Sequence, residues 1–223
     1  LMESGGISQR LVEFAKSIVG GLQGGLAATC VLTCMIFAAV SGSSVATTFA
    51  IGAILIPALI KHGYPTNFAA ALQATSAELG VVIPPSIPMI LYGVAAEVSI
   101  GELFMAGMIP GILIGISLLF LVYWMTLKRG YGQEGRQRKS LKEMGLAFVS
   151  AFWGLLAPVI ILGGIYGGVF TPTESAAVAA VYGIVVGVLI SAYLSVLRLT
   201  GEAIGARPLL LLGVLLIVVG VQL

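Results

Sequence analysis

Charged side chains divide this chain into long apolar stretches. No Asp, Glu, Lys or Arg falls within 17–60, 103–127, 144–173 or 175–197. Each run exceeds the ~20 residues that a helix needs to cross a ~30 Å hydrocarbon core. The pattern therefore predicts an all-α, polytopic membrane protein. Ahead of the first run, 7–22 places Ile7, Leu11, Phe14, Ile18 and Leu22 on one face, with Arg10, Glu13 and Lys16 elsewhere. That spacing predicts an amphipathic interfacial helix. The run 17–60 is interrupted by Ser41-Gly42-Ser43-Ser44 and Thr47-Thr48. It allows two readings, two full spans with an outer turn or a re-entrant hairpin. The density of Ser, Thr and Gly favours the hairpin, because irregular backbone at membrane depth is tolerated where it lines a protein-enclosed polar cavity.

Turn chemistry at 63–67 (GYPTN) introduces the next helix, with Asn67 as its expected N-cap. The segment 68–94 then reads as a span broken at Pro84-Pro85-Ser86, with Pro88 beyond. Adjacent prolines remove two backbone donors and push Ile83 and Pro84 out of the α region. The preceding carbonyls lose their helical partners, so 79–88 predicts two half-helices around an unwound centre. Charges orient the whole. Lys128, Arg129, Arg136, Arg138, Lys139 and Lys142 face only Glu134 and Glu143 in one loop, which marks that loop as cytoplasmic. Arg10, Lys16, Lys61 and His62 share that side, as do Arg198 and Arg207, whereas Glu97 and Glu102 in 95–107 suit the opposite face. Spans follow at 108–127, 144–170 and 175–197. Between the last two, Thr171 and Glu174 flank Pro172 in the spacing of a capped helix start.

Composition narrows the function classes. Charged residues are 9% of the 223 and mean hydropathy is +1.11, against about 25% charged in soluble domains. A net charge of +2 without a nucleic-acid type of basic tract argues against nucleic-acid partners. Cys30 and Cys34, one turn apart, imply packing rather than a disulfide framework or a zinc site. With His62 the only histidine and no Asp anywhere, a Ser-His-Asp triad cannot be assembled in this chain. No phosphate-binding loop occurs. The residues read as a non-enzyme without a bound organic cofactor.

Candidate chemistry lies in the uncharged polar minority. The hairpin tip 41–48 (SGSSVATT) and the broken span 79–88 would offer freed carbonyls, with the hydroxyls of Ser43, Ser44, Thr47 and Ser86. Discontinuous helices present carbonyl ends to cations and N-termini to anions. Such neutral oxygens suit a monovalent ion better than Ca²⁺, which points to an ion-coupled transport site. The plainer reading is that Ser and Gly serve close helix packing and the prolines only kink. Glu78, near the apolar middle of the broken span, is open to a cation or proton role or to a structural hydrogen bond.

The stretches SGSSVAT, LG-x-x-IPPSIPM-x-LYG (79–93) and GGIYGG-x-FTPTE (163–174) resemble the large membrane subunit of tripartite ATP-independent periplasmic (TRAP) transporters, over roughly 1–190. The resemblance implies an ion-transporter-superfamily elevator fold of two inverted repeats, each with a re-entrant helical hairpin and a proline-broken helix. It implies sodium as the coupling ion, with Ser41, Ser43, Ser44, Thr47, Gly80, Ile83, Pro85 and Ser86 as its ligands. It also implies uptake of an organic anion such as a C4-dicarboxylate or sugar acid, for which Ser43, Ser44, Pro84 and Ser86 are candidate contacts. Partners would be a small membrane subunit and a periplasmic substrate-binding protein, and the location a bacterial inner membrane.

On this basis the chain divides into an interfacial arm (1–22) and a first-repeat transport core (23–107) containing the hairpin (23–60) and the broken helix (68–94). A span and basic loop (108–142), two spans opening the second repeat (143–197) and an apolar tail (198–223) follow. Spans before Leu1 and nearly all of the second repeat are expected to be missing, leaving an incomplete inverted repeat. The tail from about Gly205 departs from the family pattern and resembles the C-terminal anchors of membrane polyprenyl-phosphate glycosyltransferases. Because substrate should sit between the repeats, a truncated, non-transporting membrane scaffold or anchor is the alternative reading.

Overall fold

The computed structural model describes residues 7–131 and 140–200, with side chains from Ser8 to Val188 apart from Leu141. Glu134, Arg136, Arg138, Lys139, Arg207 and the tail beyond 200 lie outside the described residues, as does the Arg198 side chain. The described residues form helices only. They are α1 (Ile7–Val19), α2 (Gly25–Ser41), α3 (Ser44–Lys61), α4 (Thr66–Ala77), α5 (Leu79–Val82), α6 (Ile87–Ala95), α7 (Ile100–Arg129), α8 (Leu141–Tyr166) and α9 (Pro172–Thr200). By length and composition α3, α7 and α8 are long and apolar enough to cross a membrane, and Thr66–Val82 with Ile87–Ala95, bent by 40° at the break, makes a fourth if the pair is counted as one span. This is a polytopic α-helical membrane protein.

The centre of the bundle is α2, which touches α1, α3, α4, α5, α7 and α8. Ala27, Cys30, Val31, Cys34 and Ala38 on it are fully buried, as expected of a helix apolar all round. On its outer side α7 exposes Ile109, Leu113, Ile116, Phe120 and Trp124, a face suited to hydrocarbon rather than water. Its inner side carries Gly107, Gly111 and Gly115, all buried. A methyl group on Gly111 would sit 2.8 Å from Ile83 Cγ1, and one on Gly115 would meet Met35 Cε at 2.4 Å. Bare backbone on α7 thus lets the broken helix and α2 approach closely.

Contacts at the two ends agree with the topology read from the charges. At one end Tyr64, Phe68 and Tyr131 cluster, with ring centroids 5.7–6.0 Å apart. Gly24, at the start of α2, lies against Thr126 near the end of α7. At the other end a Cβ on Gly101 would lie 3.6 Å from Ile165 Cγ2, joining the start of α7 to the end of α8.

Three local expectations need correction. Helix α1 buries Ser8, Leu11, Val12 and Ala15, whereas Ile18 and Leu22 are about half exposed. The buried face is rotated from the predicted stripe because α1 packs mainly against α2 and α8 and also touches α3, so more than one neighbour selects it. Helix α4 begins at Thr66 after Pro65, and Asn67 is not its cap: its Oδ1 accepts from the adjacent Phe68 N–H at 2.9 Å. Helix α7 starts at Ile100, eight residues before the expected span, with Ser99 Oγ accepting from Glu102 N–H. Glu102 is exposed in that first turn, where a carboxylate faces the positive end of the helix dipole.

Candidate functional site: hairpin tip against broken helix

Helices α2 and α3 are joined only by Gly42 and Ser43. Gly42 adopts φ +62°, a left-handed conformation, and closes α2 by donating its N–H to Ala38 O at 2.9 Å. Ser43 caps α3, its Oγ accepting from Ala46 N–H at 3.3 Å. The turn is therefore built from a left-handed glycine and a capping serine.

On the other element, Ile83 N–H reaches back to Leu79 O at 2.8 Å and ends α5. Pro84 and Pro85, joined by a cis peptide bond, have no N–H to offer Gly80 and Val81. Ser86, fully buried, supplies one replacement by donating its hydroxyl to Val81 O. Although Ser86 precedes α6, its side chain does not cap that helix. Instead Ile87 N–H, in the first turn of α6, donates to Gly42 O at 3.1 Å. Tip and break are thus bonded to each other.

Two glycines allow the approach. A Cβ on Gly42 would stand 2.6 Å from Pro85 O, and one on Gly80 3.0 Å from Ser43 O. Around this contact Thr47 Oγ1 donates to Ser43 O at 2.8 Å and lies 3.1 Å from Ser41 Oγ. Thr47 and Ser86 are fully buried, Ser41, Ser43, Ser44 and Pro85 half-buried, and Pro84 is buried. The structure therefore gathers Ser41, Ser43, Thr47, Gly80, Pro85 and Ser86 of the expected set. Ile83 joins through its backbone position only, since its side chain packs on Gly111 of α7. Ser44 O accepts from Thr48 Oγ1 at 2.8 Å. No charged residue lies within 41–48 or 79–88, and among the described residues no cluster of three His, Cys, Asp or Glu occurs.

The level of the contact bears on the two hairpin readings. Ile83 meets α7 at Gly111, roughly 27 Å from Arg129 and roughly 16 Å from Ile100 at 1.5 Å per residue. The tip ends partway along α7, as a re-entrant hairpin would. Glu78 makes no part of the site. It is exposed at the junction of α4 and α5. Thr171 and Glu174 form the expected cap, with Thr171 N–H donating to Glu174 Oε2 at 2.8 Å and Glu174 N–H to Thr171 Oγ1 at 3.3 Å.

Two buried polar residues beside the site were not singled out from the sequence. Gln73 is 1% exposed and Ser76 fully buried; the Ser76 hydroxyl has no hydrogen-bond partner. With Gly80 they fall at i, i+3 and i+7 on one helical face, the spacing that could have flagged them. Cys30 and Cys34 are packed as expected, yet both thiols also reach Gln73 Oε1, at 3.1 and 3.8 Å.

Comparison with known proteins follows the same lines. The family model described as "Tripartite ATP-independent periplasmic transporter, DctM component" matches residues 1–223. The match runs beyond residue 190 and includes the tail expected to depart from the pattern. The C4-dicarboxylate TRAP transporter large permease protein DctM of Pseudomonas aeruginosa is 49% identical over 81% of the chain and 42% of its own length. The sialic acid TRAP transporter large permease protein SiaM of Vibrio cholerae is 38% identical over 96% of the chain and 51% of its length. The isethionate TRAP transporter permease protein DctMQ of Oleidesulfovibrio alaskensis is 49% identical over 87% of the chain and 30% of its length. The chain thus spans from under a third to about half of these relatives, all of them permeases rather than enzymes. By the extent of the family match, it belongs to the DctM component family of tripartite ATP-independent periplasmic transporters.

Proposed function

We propose that this chain carries the first half-site of a sodium-coupled importer of organic anions, working as an elevator in a bacterial inner membrane. The observation that supports it is the bonded contact between hairpin tip and broken helix. Two helix C-termini (α2 and α5) and two N-termini (α3 and α6) meet there. Carbonyl-rich C-terminal ends favour a cation and N-terminal ends an anion. The donors are neutral oxygens from Ser41, Ser43, Ser44, Thr47, Gly80, Ile83, Pro85 and Ser86, a set suited to a hard monovalent ion. The unpartnered Ser76 hydroxyl nearby is a further oxygen whose hydrogen-bonding capacity is unfilled. Of Ser43, Ser44, Pro84 and Ser86, the candidate contacts for the organic anion, Ser43 and Ser44 are the more accessible pair, and Pro84 and Ser86 lie buried. The printed names of relatives cover C4-dicarboxylate, sialic acid, 2,3-diketo-L-gulonate and isethionate. Their shared chemistry is negative charge, not a common carbon skeleton. A small membrane subunit and a periplasmic binding protein would complete the machine.

The test is uptake by the full-length polypeptide carrying this chain, reconstituted with its small subunit and binding protein. Labelled succinate and labelled N-acetylneuraminate are the probes, with and without an inward sodium gradient. Uptake of at least one is expected only with sodium, and Ser43→Ala with Ser86→Ala should abolish most of it. Sodium-independent uptake would overturn the coupling, and unchanged uptake in the double variant would overturn the site. A complex that binds but never transports any organic anion would favour a non-transporting scaffold.

A further inference from the structure

Gln73 of α4 joins three helices through one primary amide. Its Oε1 accepts from Cys30 Sγ at 3.1 Å and, more weakly, from Cys34 Sγ at 3.8 Å, both on α2. Its Nε2 donates to Thr47 O on α3 at 3.3 Å and approaches Cys34 Sγ at 3.6 Å. A primary amide has two donor hydrogens and an acceptor oxygen, and here both ends are engaged away from water. The residue is 1% exposed, so an amide without these partners would carry a desolvation cost. Space for it is made by Gly52, where a Cβ would lie 3.2 Å from Gln73 Cγ.

The bonds continue into the site. Thr47, whose carbonyl Gln73 holds, donates its own hydroxyl to Ser43 O and faces Ser41 Oγ. Seven residues along from Gln73, Gly80 seats the Ser43 backbone directly. The broken helix therefore holds the hairpin at three levels: Ile87 N–H bonds to Gly42 O, Gly80 packs on Ser43, and the Gln73 amide bonds to Thr47 O. Only the last depends on a polar side chain.

We propose that Gln73 is a positioning residue: through Thr47 it fixes the hairpin tip relative to α4, and so sets the spacing of the oxygens that would hold the coupling ion. The ion-binding consequence rests on the sodium reading above, but the positioning itself does not. Gln73 is not among the oxygens proposed to hold the ion. It acts through a main-chain carbonyl, as an outer-shell partner does in a metal site.

Two measurements on the full-length polypeptide separate these claims. Spin labels at Val45→Cys and Thr75→Cys, both exposed positions, report the tip-to-α4 separation by dipolar coupling; native Cys30 and Cys34 are fully buried. Gln73→Met, close in volume but without the amide, should broaden the distance distribution. Cys30→Ala with Cys34→Ala removes the thiol partners and should broaden it less, keeping the test available if Gln73→Met does not assemble. Leu72→Ala, a core truncation next door, should lower thermal stability and leave the distribution narrow. An unchanged distribution in Gln73→Met overturns the proposal. For uptake, Gln73→Met should raise the sodium concentration for half-maximal rate by about tenfold, the lower end for lost outer-shell partners, with the maximal rate largely kept. If the unmodified protein transports without sodium, the sodium reading fails and the distance test still decides on Gln73.

Discussion

Ser86 and Ser43 occupy opposite sides of the same contact and do different work. Ser86 replaces a helical N–H that proline cannot supply, by donating to Val81 O from a fully buried position. Ser86→Ala should therefore cost about 1–3 kcal/mol, the range for an unsatisfied buried acceptor. Ser43→Ala removes the α3 cap and should cost about 1 kcal/mol. Thermal unfolding in detergent would check both, and the larger loss should belong to Ser86. Ser86 could be named from the sequence because proline chemistry is local: two missing donors can be counted without knowing the fold. Gln73 is harder to assign: its spacing with Ser76 and Gly80 marks a face, but its role comes from partners on α2 and α3, which are distant in sequence. A glutamine in an apolar span is a weak signal until its partners are placed. Glu78 is a different case. Near the middle of a span it was open to a cation or proton role or to a structural hydrogen bond, and its side chain is exposed at a helix junction.

Among the elements, α7 shows how backbone rather than side chains can set a distance. Gly111→Val should force Ile83 away, since even one added carbon would sit 2.8 Å from Ile83 Cγ1. Loss of folded protein, or of the tip-to-break contact, is the expected result by size exclusion and cross-linking. Gly163→Ala on α8 is the control. Nothing lies within 4 Å of an added Cβ there, and alanine gains roughly 0.5–1 kcal/mol over glycine inside a helix. Glycine spacing of four on α7 was present in the sequence but indistinguishable from the abundant glycines elsewhere. By contrast the break at 84–86, the hairpin turn at Gly42-Ser43 and the cap at Thr171–Glu174 were legible, each resting on a short-range backbone rule. The face of α1 was not. An amphipathic stripe gives a direction only when one neighbour receives it, and α1 has three.

For the whole molecule, the side of each connection is a direct prediction. Cysteines placed at Lys61 and Arg129 should react with an impermeant thiol reagent from one side of a vesicle, and those at Glu97 and Val169 from the other. The Tyr64–Phe68–Tyr131 cluster and the Gly101–Ile165 approach fix those pairings, and labelling of all four from one side would refute them. Charge counting alone gives the same pairing of ends, because cations mark membrane faces whatever the helices do in between. The absence of charge from 41–48 and 79–88 has an electrical consequence. A carboxylate-bearing cage becomes neutral when it takes up a monovalent cation; an all-neutral one becomes positive. Moving that uncancelled charge across the bilayer is worth about 2.3 kcal/mol per 100 mV. If the core moves with its ion as proposed above, the membrane voltage would act on the sodium-bound core before the anion adds its own negative charge, whereas an empty one would hardly feel it.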